Sequence, residues 1–499
     1  MDRTATTRRA FLAGLTATVS TPAIAAPDTS LRPRPRPATI ADVAPPRSAE
    51  VEALFRQANL GGELSFVAAD AASGRIIESR LPRLGMPPAS TAKAMTAQYA
   101  LERLGPGFRF HTRLLATGPI RNGTLDGDLV LVGGGDPVLD TDDLGDLAAG
   151  LKTAGVSAMT GRFLVAPGAM PETWAIDADQ PDHLGYNPAV AGLNLNFNRV
   201  HFEWERQGSD YAVTMEARSK RFRPSFDLAR MDIVPRSTPI YTYRSDGPID
   251  HWTVARAALG SKGARWLPVR HPVDYTVNVF MSLARSYGIA LSKPERVNYV
   301  PGGYTVCEHA SSDLRTIVRG MLKYSTNLTA EVVGQTATMM GGVVPGDLQG
   351  SADEMSRWLA WSAGARRPAF VDHSGLGERT DLATEDMVAG LRRAGPDGRL
   401  ASLMKPWYFR TTEGGADKGN PIRMVAKTGT LNFVSALAGY ILPPERPPVV
   451  FAVFTANEER RAAIPREERD RPVGAKSWSR RSRRLQDQLL KRWAVSRTA

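Results

Sequence analysis

Ile422-Arg423-Met424-Val425-Ala426-Lys427-Thr428-Gly429-Thr430 is the stretch on which the fold turns. Ile422 to Lys427 reads as a strand, and Val434 to Leu442 and Val449 to Phe454 follow after short turns, so the spacing predicts an antiparallel meander. Trp478 to Val495 reads as an amphipathic helix, with Leu485, Leu489 and Trp493 free to pack on that sheet while its arginines face water. Near the start, Leu64 to Ala69 and Arg75 to Ser79 alternate as strands around Ala72-Ser73-Gly74. Helical patterns cover Ser90 to Leu104, Tyr275 to Tyr287, Ser312 to Leu322 and Asn327 to Met339. Helices combined with an antiparallel sheet predict an α+β fold.

Lys427-Thr428-Gly429-Thr430 is also the last of three motifs that stand in one order. Ser90-Thr91-Ala92-Lys93 comes first and Ser325-Thr326-Asn327 second. A serine with a lysine one helical turn away, a second hydroxyl and a cationic strand edge is the equipment of a serine acyl-enzyme. That chemistry requires no cofactor and no metal. Ser90 opens a helix, so Lys93 shares its face one turn on and backbone N–H groups are available to an oxyanion. Lys93 can act as base when burial and a neighbouring cation such as Lys427 hold it neutral.

Each motif alone is weak. Ser402-Leu403-Met404-Lys405 also matches the first, but Pro406 breaks the helix needed to align that pair, and the copy falls after the Ser-x-Asn motif. The order and the matching elements carry the argument. Ser90 and Ser325 are 235 residues apart. If the motifs meet in one site, the catalytic domain is discontinuous, with a first part at 49–105, an inserted region at 106–296 and a second part at 297–499. Within that insertion, Thr112 to Leu131 reads as short strands with turns at Asn122-Gly123 and Asp126-Gly127, and Val200 to Glu205 pairs with Tyr211 to Arg218. Gly133-Gly134-Gly135-Asp136-Pro137 reads as a tight connection. It has no Gly-Lys-Ser/Thr ending, so it is not a phosphate loop.

Residues 1–25 read as a twin-arginine signal peptide: Thr7-Arg8-Arg9-Ala10-Phe11-Leu12, a weakly apolar stretch, then Ala23-Ile24-Ala25. Residues 26–48 form a Pro/Arg-rich linker. Cys307 is the only cysteine, so no intrachain disulfide forms, and it reads as a small buried residue. The net charge is +12, of which +9 falls between Arg460 and Ala499. Nucleic acid is excluded as its partner, since export and the absence of an aromatic platform or helix-turn-helix both oppose it. Two readings of the tail stand: a solvated helix face, or a surface drawn to an anionic envelope polymer.

The chain resembles the penicillin-binding D-Ala-D-Ala carboxypeptidase/endopeptidase family, in its low-molecular-mass class with a large insertion. The blocks that carry the resemblance lie within about residues 50 to 456. They are Pro88-Ala89-Ser90-Thr91-Ala92-Lys93 with Ala100-Leu101-Glu102-Arg103-Leu104-Gly105, then Gly127 to Pro137, then Asp372-His373-Ser374-Gly375-Leu376. It implies a β-lactamase/transpeptidase-like catalytic domain, an antiparallel sheet with helices on both faces. It implies a serine D-Ala-D-Ala carboxypeptidase and/or D,D-endopeptidase that acts on peptidoglycan stem peptides and cross-links, with β-lactams as covalent inhibitors; the Arg8-Arg9 segment adds the twin-arginine machinery as export partner and the periplasm as destination. Ser90, Lys93 and Ser325 are then catalytic, and Asn327, Lys427, Thr428 and Thr430 bind substrate. The backbone N–H groups of Ser90 and Thr430 form the oxyanion hole. The competing readings are a β-lactamase, marked by rapid deacylation, and a catalytically silent peptidoglycan-binding assembly protein.

Overall fold

The computed structural model describes residues 49–495 except 225, 412 and 414. The signal segment 1–25 and the linker 26–48 lie outside the described residues. Six strands form one antiparallel sheet in the order Lys405–Trp407, Arg423–Leu431, Val434–Leu442, Val449–Ala456, Glu63–Asp70 and Ile76–Arg80. The expected meander and hairpin are therefore neighbours, joined where Glu63–Asp70 pairs with Val449–Ala456.

Side chains alternate across a strand, so each central strand feeds two cores. Val434, Ala436, Ala438, Val450, Ala452 and Phe454 pack with the helices Ala92–Leu104, Asn327–Met340 and Thr384–Ala394 on one face. Leu437, Ile441, Phe451 and Val453 pack on the other face against the closing helix Ala475–Val495. Helices on both faces explain why Val434–Leu442 and Val449–Ala456 read as nearly continuous apolar runs. Trp478 and Trp493 are fully buried there, worth roughly 1.5–3 kcal/mol each by apolar burial. Their indole N–H groups donate to the Leu60 carbonyl at 2.7 Å and to Glu78 Oε2 at 2.8 Å, so neither burial leaves an unpaired donor.

Strands between His111 and Ala310 build other sheets, whose buried side chains form two further apolar clusters of their own. The largest has five strands, ordered Pro294–Arg296, Phe163–Ala166, Leu129–Val132, His111–Ala116 and Tyr304–Ala310. Ile120–Arg121 and Thr124–Leu125 form the expected hairpin, with Asn122 at φ 49° and Gly123 at φ 82°, as its two-residue turn demands. The run Gly133 to Pro137 contains no helix or strand, and a side chain at Gly134 would overlap the His111 carbonyl oxygen. Cys307 is half-buried rather than fully enclosed, because it stands on the edge strand Tyr304–Ala310; burial lifts its thiol to about 11. The helices Thr141–Thr153, Leu348–Ala363 and Thr384–Ala394 were not legible in the pattern. No described helix is long and apolar enough to cross a membrane.

Candidate active site

Ser90 stands in a 3₁₀ turn, Ala89–Thr91, that runs directly into the helix Ala92–Leu104. The expected helix start is thus tightened by one turn. Thr91 Oγ1 donates to the Pro88 carbonyl at 2.6 Å and holds the turn shut. Ala89 lies at φ 47°, a left-handed geometry uncommon for a residue with a Cβ and found at strained functional turns.

Lys93, on the helix behind it, is 0% exposed. Its Nζ reaches Ser90 Oγ at 3.0 Å, Asn327 Oδ1 at 2.6 Å and the Ser374 carbonyl oxygen at 2.8 Å. Two of these partners are oxygens that can only accept. A neutral amine has two N–H groups and one lone pair. It can satisfy both acceptors and turn its lone pair toward the Ser90 hydroxyl. Burial lowers the Lys93 pKa, against the opposing pull of Asp372 and Glu331.

Lys427 lies across the site, at 2% exposure. Its Nζ donates to Ser325 Oγ at 2.9 Å and to the Thr428 carbonyl at 2.8 Å. Burial first, then the charges of Lys93 and Lys405, push it down to about 6. Ser325 caps the helix Leu314–Tyr324 in a left-handed conformation, φ 59° and ψ 39°. Asn327 then begins the helix Asn327–Met340, so the kink between two helices presents both side chains to one point.

The strand edge beside the third motif is open. Lys405–Trp407 pairs only with Met424–Ala426, and from Lys427 onward that edge has no strand neighbour among the described residues. Gly429 lets this strand approach the Ser90 turn closely. A Cβ there would lie 2.7 Å from the Pro88 carbonyl oxygen and 3.0 Å from Ser90 N, so only glycine lets the strand pass this close to the Ser90 turn. Thr430 lines the cleft with Ser90, Ser325 and Asn327. Thr428 is exposed, alternates to the other side of the strand from Lys427 and is not among the cleft-lining residues.

Sequence reasoning assigned no role to a group of residues that lies beneath Lys93. Asp372 Oδ1 accepts from Ser374 N at 3.0 Å and Gly375 N at 2.6 Å, and Oδ2 from Gly377 N at 2.6 Å. These bonds shape the loop whose Ser374 carbonyl holds Lys93. Gly375 lies at φ 72° against the Ala89 carbonyl oxygen, so the loop also buttresses the Ser90 turn. Glu331, four residues after Asn327 on its helix, accepts from His373 N at 2.9 Å. Burial first and then the Asp372 charge raise its pKa. Burial raises Asp372 as well, opposed by its backbone N–H donors and by Lys93. The helical spacing to Asn327 and the block Asp372 to Leu376 were the available signals. Tyr186, whose carbonyl accepts from Asn327 Nδ2 at 2.8 Å, had none.

A cleft of about 860 Å³ opens over Ser90, bordered by Tyr186, Leu376 and Thr430 and continuing to the C-terminal arm. It offers a hydroxyl nucleophile paired with a desolvated amine, a second hydroxyl–amine pair and a free strand edge, a set suited to acyl transfer.

Known proteins resemble the chain along most of its length. A D-alanyl-D-alanine carboxypeptidase of an Actinomadura species is 27% identical over 433 residues, covering 79% of this chain and 78% of that protein. The crystal structure of penicillin binding protein 4 (dacB) from Haemophilus influenzae superposes with a TM-score of 0.72 at 20% identity, covering 90% of this chain and 100% of that one. The same protein complexed with a novel β-lactam superposes with a TM-score of 0.69 at 22% identity, covering 89% and 99%. Both superpositions bear out the α+β, transpeptidase-like architecture. Residues 47–476 match the D-Ala-D-Ala carboxypeptidase 3 (S13) family throughout, and the chain belongs to that family of serine peptidases.

Proposed function

We propose that Ser90 is the nucleophile of the D-Ala-D-Ala carboxypeptidase reaction and Lys93 its base. The observation that carries this is the Lys93 bond set: two obligate acceptors leave only the Ser90 hydroxyl to meet an amine lone pair. Ser90 Oγ attacks the carbonyl of the penultimate D-Ala, and its proton passes to Lys93 Nζ. The backbone N–H groups of Ser90 and Thr430 receive the oxyanion. The C–N bond breaks as Ser325 Oγ–H gives its proton to the departing amine and takes up in its place the proton that Lys93 removed from Ser90, so Lys93 is neutral again and Lys427 keeps its charge. Water then hydrolyses the ester and returns Ser90. Asn327 positions Lys93 and the substrate amide; Lys427 and Thr430 hold the terminal carboxylate, and Thr428, outside the cleft lining, is left with at most a minor part in that binding. A carboxylate bound there raises the Lys427 pKa and keeps it cationic.

The length of the cleft favours cross-linked peptide as a second substrate, which makes D,D-endopeptidase action part of this reading. β-Lactams acylate the same serine, a reading supported by the Haemophilus influenzae relative solved with a β-lactam. We place the reaction outside the cytoplasm, in the periplasm, after export through the Arg8-Arg9 signal; sparing of Arg8→Lys/Arg9→Lys protein from cytoplasmic retention would contradict that route. The region 106–296 forms an inserted unit in this reading, and Tyr304–Ala310, just beyond it, pairs with His111–Ala116 in the same sheet.

The test compares wild type with Ser90→Ala on a purified pentapeptide, a cross-linked muropeptide dimer and labelled penicillin. Wild type releases D-Ala and forms a stable penicilloyl adduct, and the variant does neither. Covalent penicillin on Ser90→Ala would refute the nucleophile assignment. Rapid turnover of the adduct would favour a β-lactamase.

A further inference from the structure

The cleft over Ser90 extends past Asn432 to the C-terminal arm, and the arginines of that arm fall into two sets. Arg461 and Arg469 each place a guanidinium 3.1 Å from Glu378 Oε1, and Arg466 lies 3.0 Å from Asp182 Oδ1. These brace the arm against the loop after Leu376 and against the inserted segment. Arg471, Lys476, Arg480 and Arg483 also line the cleft, but they are exposed and form no ion pair with any described residue. Among the described lining residues Asp470 is the acidic one, and it is already engaged by Arg265 at 3.3 Å and His183 at 3.4 Å.

Lys476, Arg480 and Arg483 recur at helical spacing on Ala475–Val495, whose buried side carries Trp478, Ser482 and Leu485. At 1.5 Å per residue they extend along about 10 Å of one wall. Like charges one turn apart repel, and a cleft lined by one sign of charge concentrates the opposite ion. The row opens into the same cleft as the nucleophile, so its natural occupant is the rest of the molecule that Ser90 attacks.

We propose that Arg471, Lys476, Arg480 and Arg483 form a second anion subsite that binds carboxylates carried by the substrate peptide away from its D-Ala-D-Ala end. The proposal rests on the acyl-enzyme reading above. It assigns Lys427 to the terminal carboxylate and the arm to the further ones, which makes the enzyme selective for acidic peptides over amidated ones.

The test uses the full chain and two peptides of equal length ending in D-Ala-D-Ala, one with two free side-chain carboxylates and one with both amidated. Wild type prefers the acidic peptide by roughly five- to tenfold in kcat/KM at low salt, and the preference shrinks by ~0.5 M salt as screening shortens. Lys476→Gln/Arg480→Gln/Arg483→Gln cleaves both peptides at the wild-type rate for the amidated one. Arg471→Gln, outside the helix, reduces the preference without touching helix stability. Equal wild-type rates on the two peptides, or a triple variant that loses the same factor on both, would overturn the subsite. So would a triple variant that keeps the peptide preference and loses only binding to an anionic glycopolymer. No cleavage of either peptide by wild type would overturn the acyl-enzyme reading and the subsite with it.

Discussion

Asn327 Nδ2 donates to the Tyr186 carbonyl at 2.8 Å while its Oδ1 accepts from Lys93 Nζ at 2.6 Å. One amide links the inserted segment to the proposed base, and neither bond survives an amide flip. Asn327→Asp keeps the shape, loses the donor to Tyr186 and sets a carboxylate beside Lys93. That charge stabilises the ammonium. Acylation by labelled penicillin is expected to fall about 100-fold at neutral pH and to recover in part at higher pH.

The pH profile of wild type follows from two buried amines. Both lysines are held below the ordinary range near 10.4, mainly by burial. Since neutral Lys93 is the base, kcat/KM rises as Lys93 loses its proton, and this limb falls well below pH 10. A rise confined to pH above 10 would count against Lys93 as base. Lys427 sits at about 6 partly through the Lys93 charge, so Lys93→Met raises it, measurable by NMR titration.

His373 is expected to contribute to the loss of stability in acid. It is buried, neutral and pushed down to about 3 by desolvation, with Nε2 2.8 Å from Ser351 Oγ. The unfolded chain titrates this group near 6.5 and so binds more protons between the two values. Its contribution is full above about 6.5 and is lost as pH falls toward 3. Denaturant melts of His373→Gln are expected to show a shallower loss of stability across that window than wild type.

Gly375→Ala strains the loop beneath the site. At φ 72° the new methyl overlaps the Ala89 carbonyl oxygen, and the Ser374 carbonyl shifts off Lys93. The expected cost is about 1–3 kcal/mol in equilibrium unfolding, together with slower acylation of the folded fraction.

Thr430 and Thr428 separate under kinetics. Thr430 lines the cleft and Thr428 does not. Thr430→Val is expected to raise KM for a D-Ala-D-Ala peptide by roughly 10- to 100-fold, about the loss of one hydrogen bond to a charged group, and Thr428→Val to raise it less. Equal effects would return Thr428 to the carboxylate site.

The strands at Ile422 to Lys427, Val434 to Leu442 and Val449 to Phe454, and the helix at the end of the chain, were readable because their patterns are local and strong. Thr141–Thr153 was not, since Gly145 and Gly150 interrupt its pattern. Both glycines are there for packing: a Cβ at Gly145 would overlap the Phe222 ring, and one at Gly150 would come 3.1 Å from Cys307. Glu331 and Asp372 lay in view, but their importance comes from burial beside Lys93, which no periodicity reports.

By itself the sequence determined which groups could do the chemistry: a serine and lysine one helical turn apart, a Ser-x-Asn, a Lys-Thr-Gly, and strands and helices whose periods follow from side-chain geometry. Tertiary structure alone decided their state and surroundings. Lys93 loses its preference for charge because elements distant in the chain desolvate it. Tyr186 reaches Asn327 because the inserted segment folds back across the site. The basic tail divides into bracing and unpaired cations because only some of its arginines meet carboxylates, and such meetings depend on distances in space rather than on neighbours in sequence.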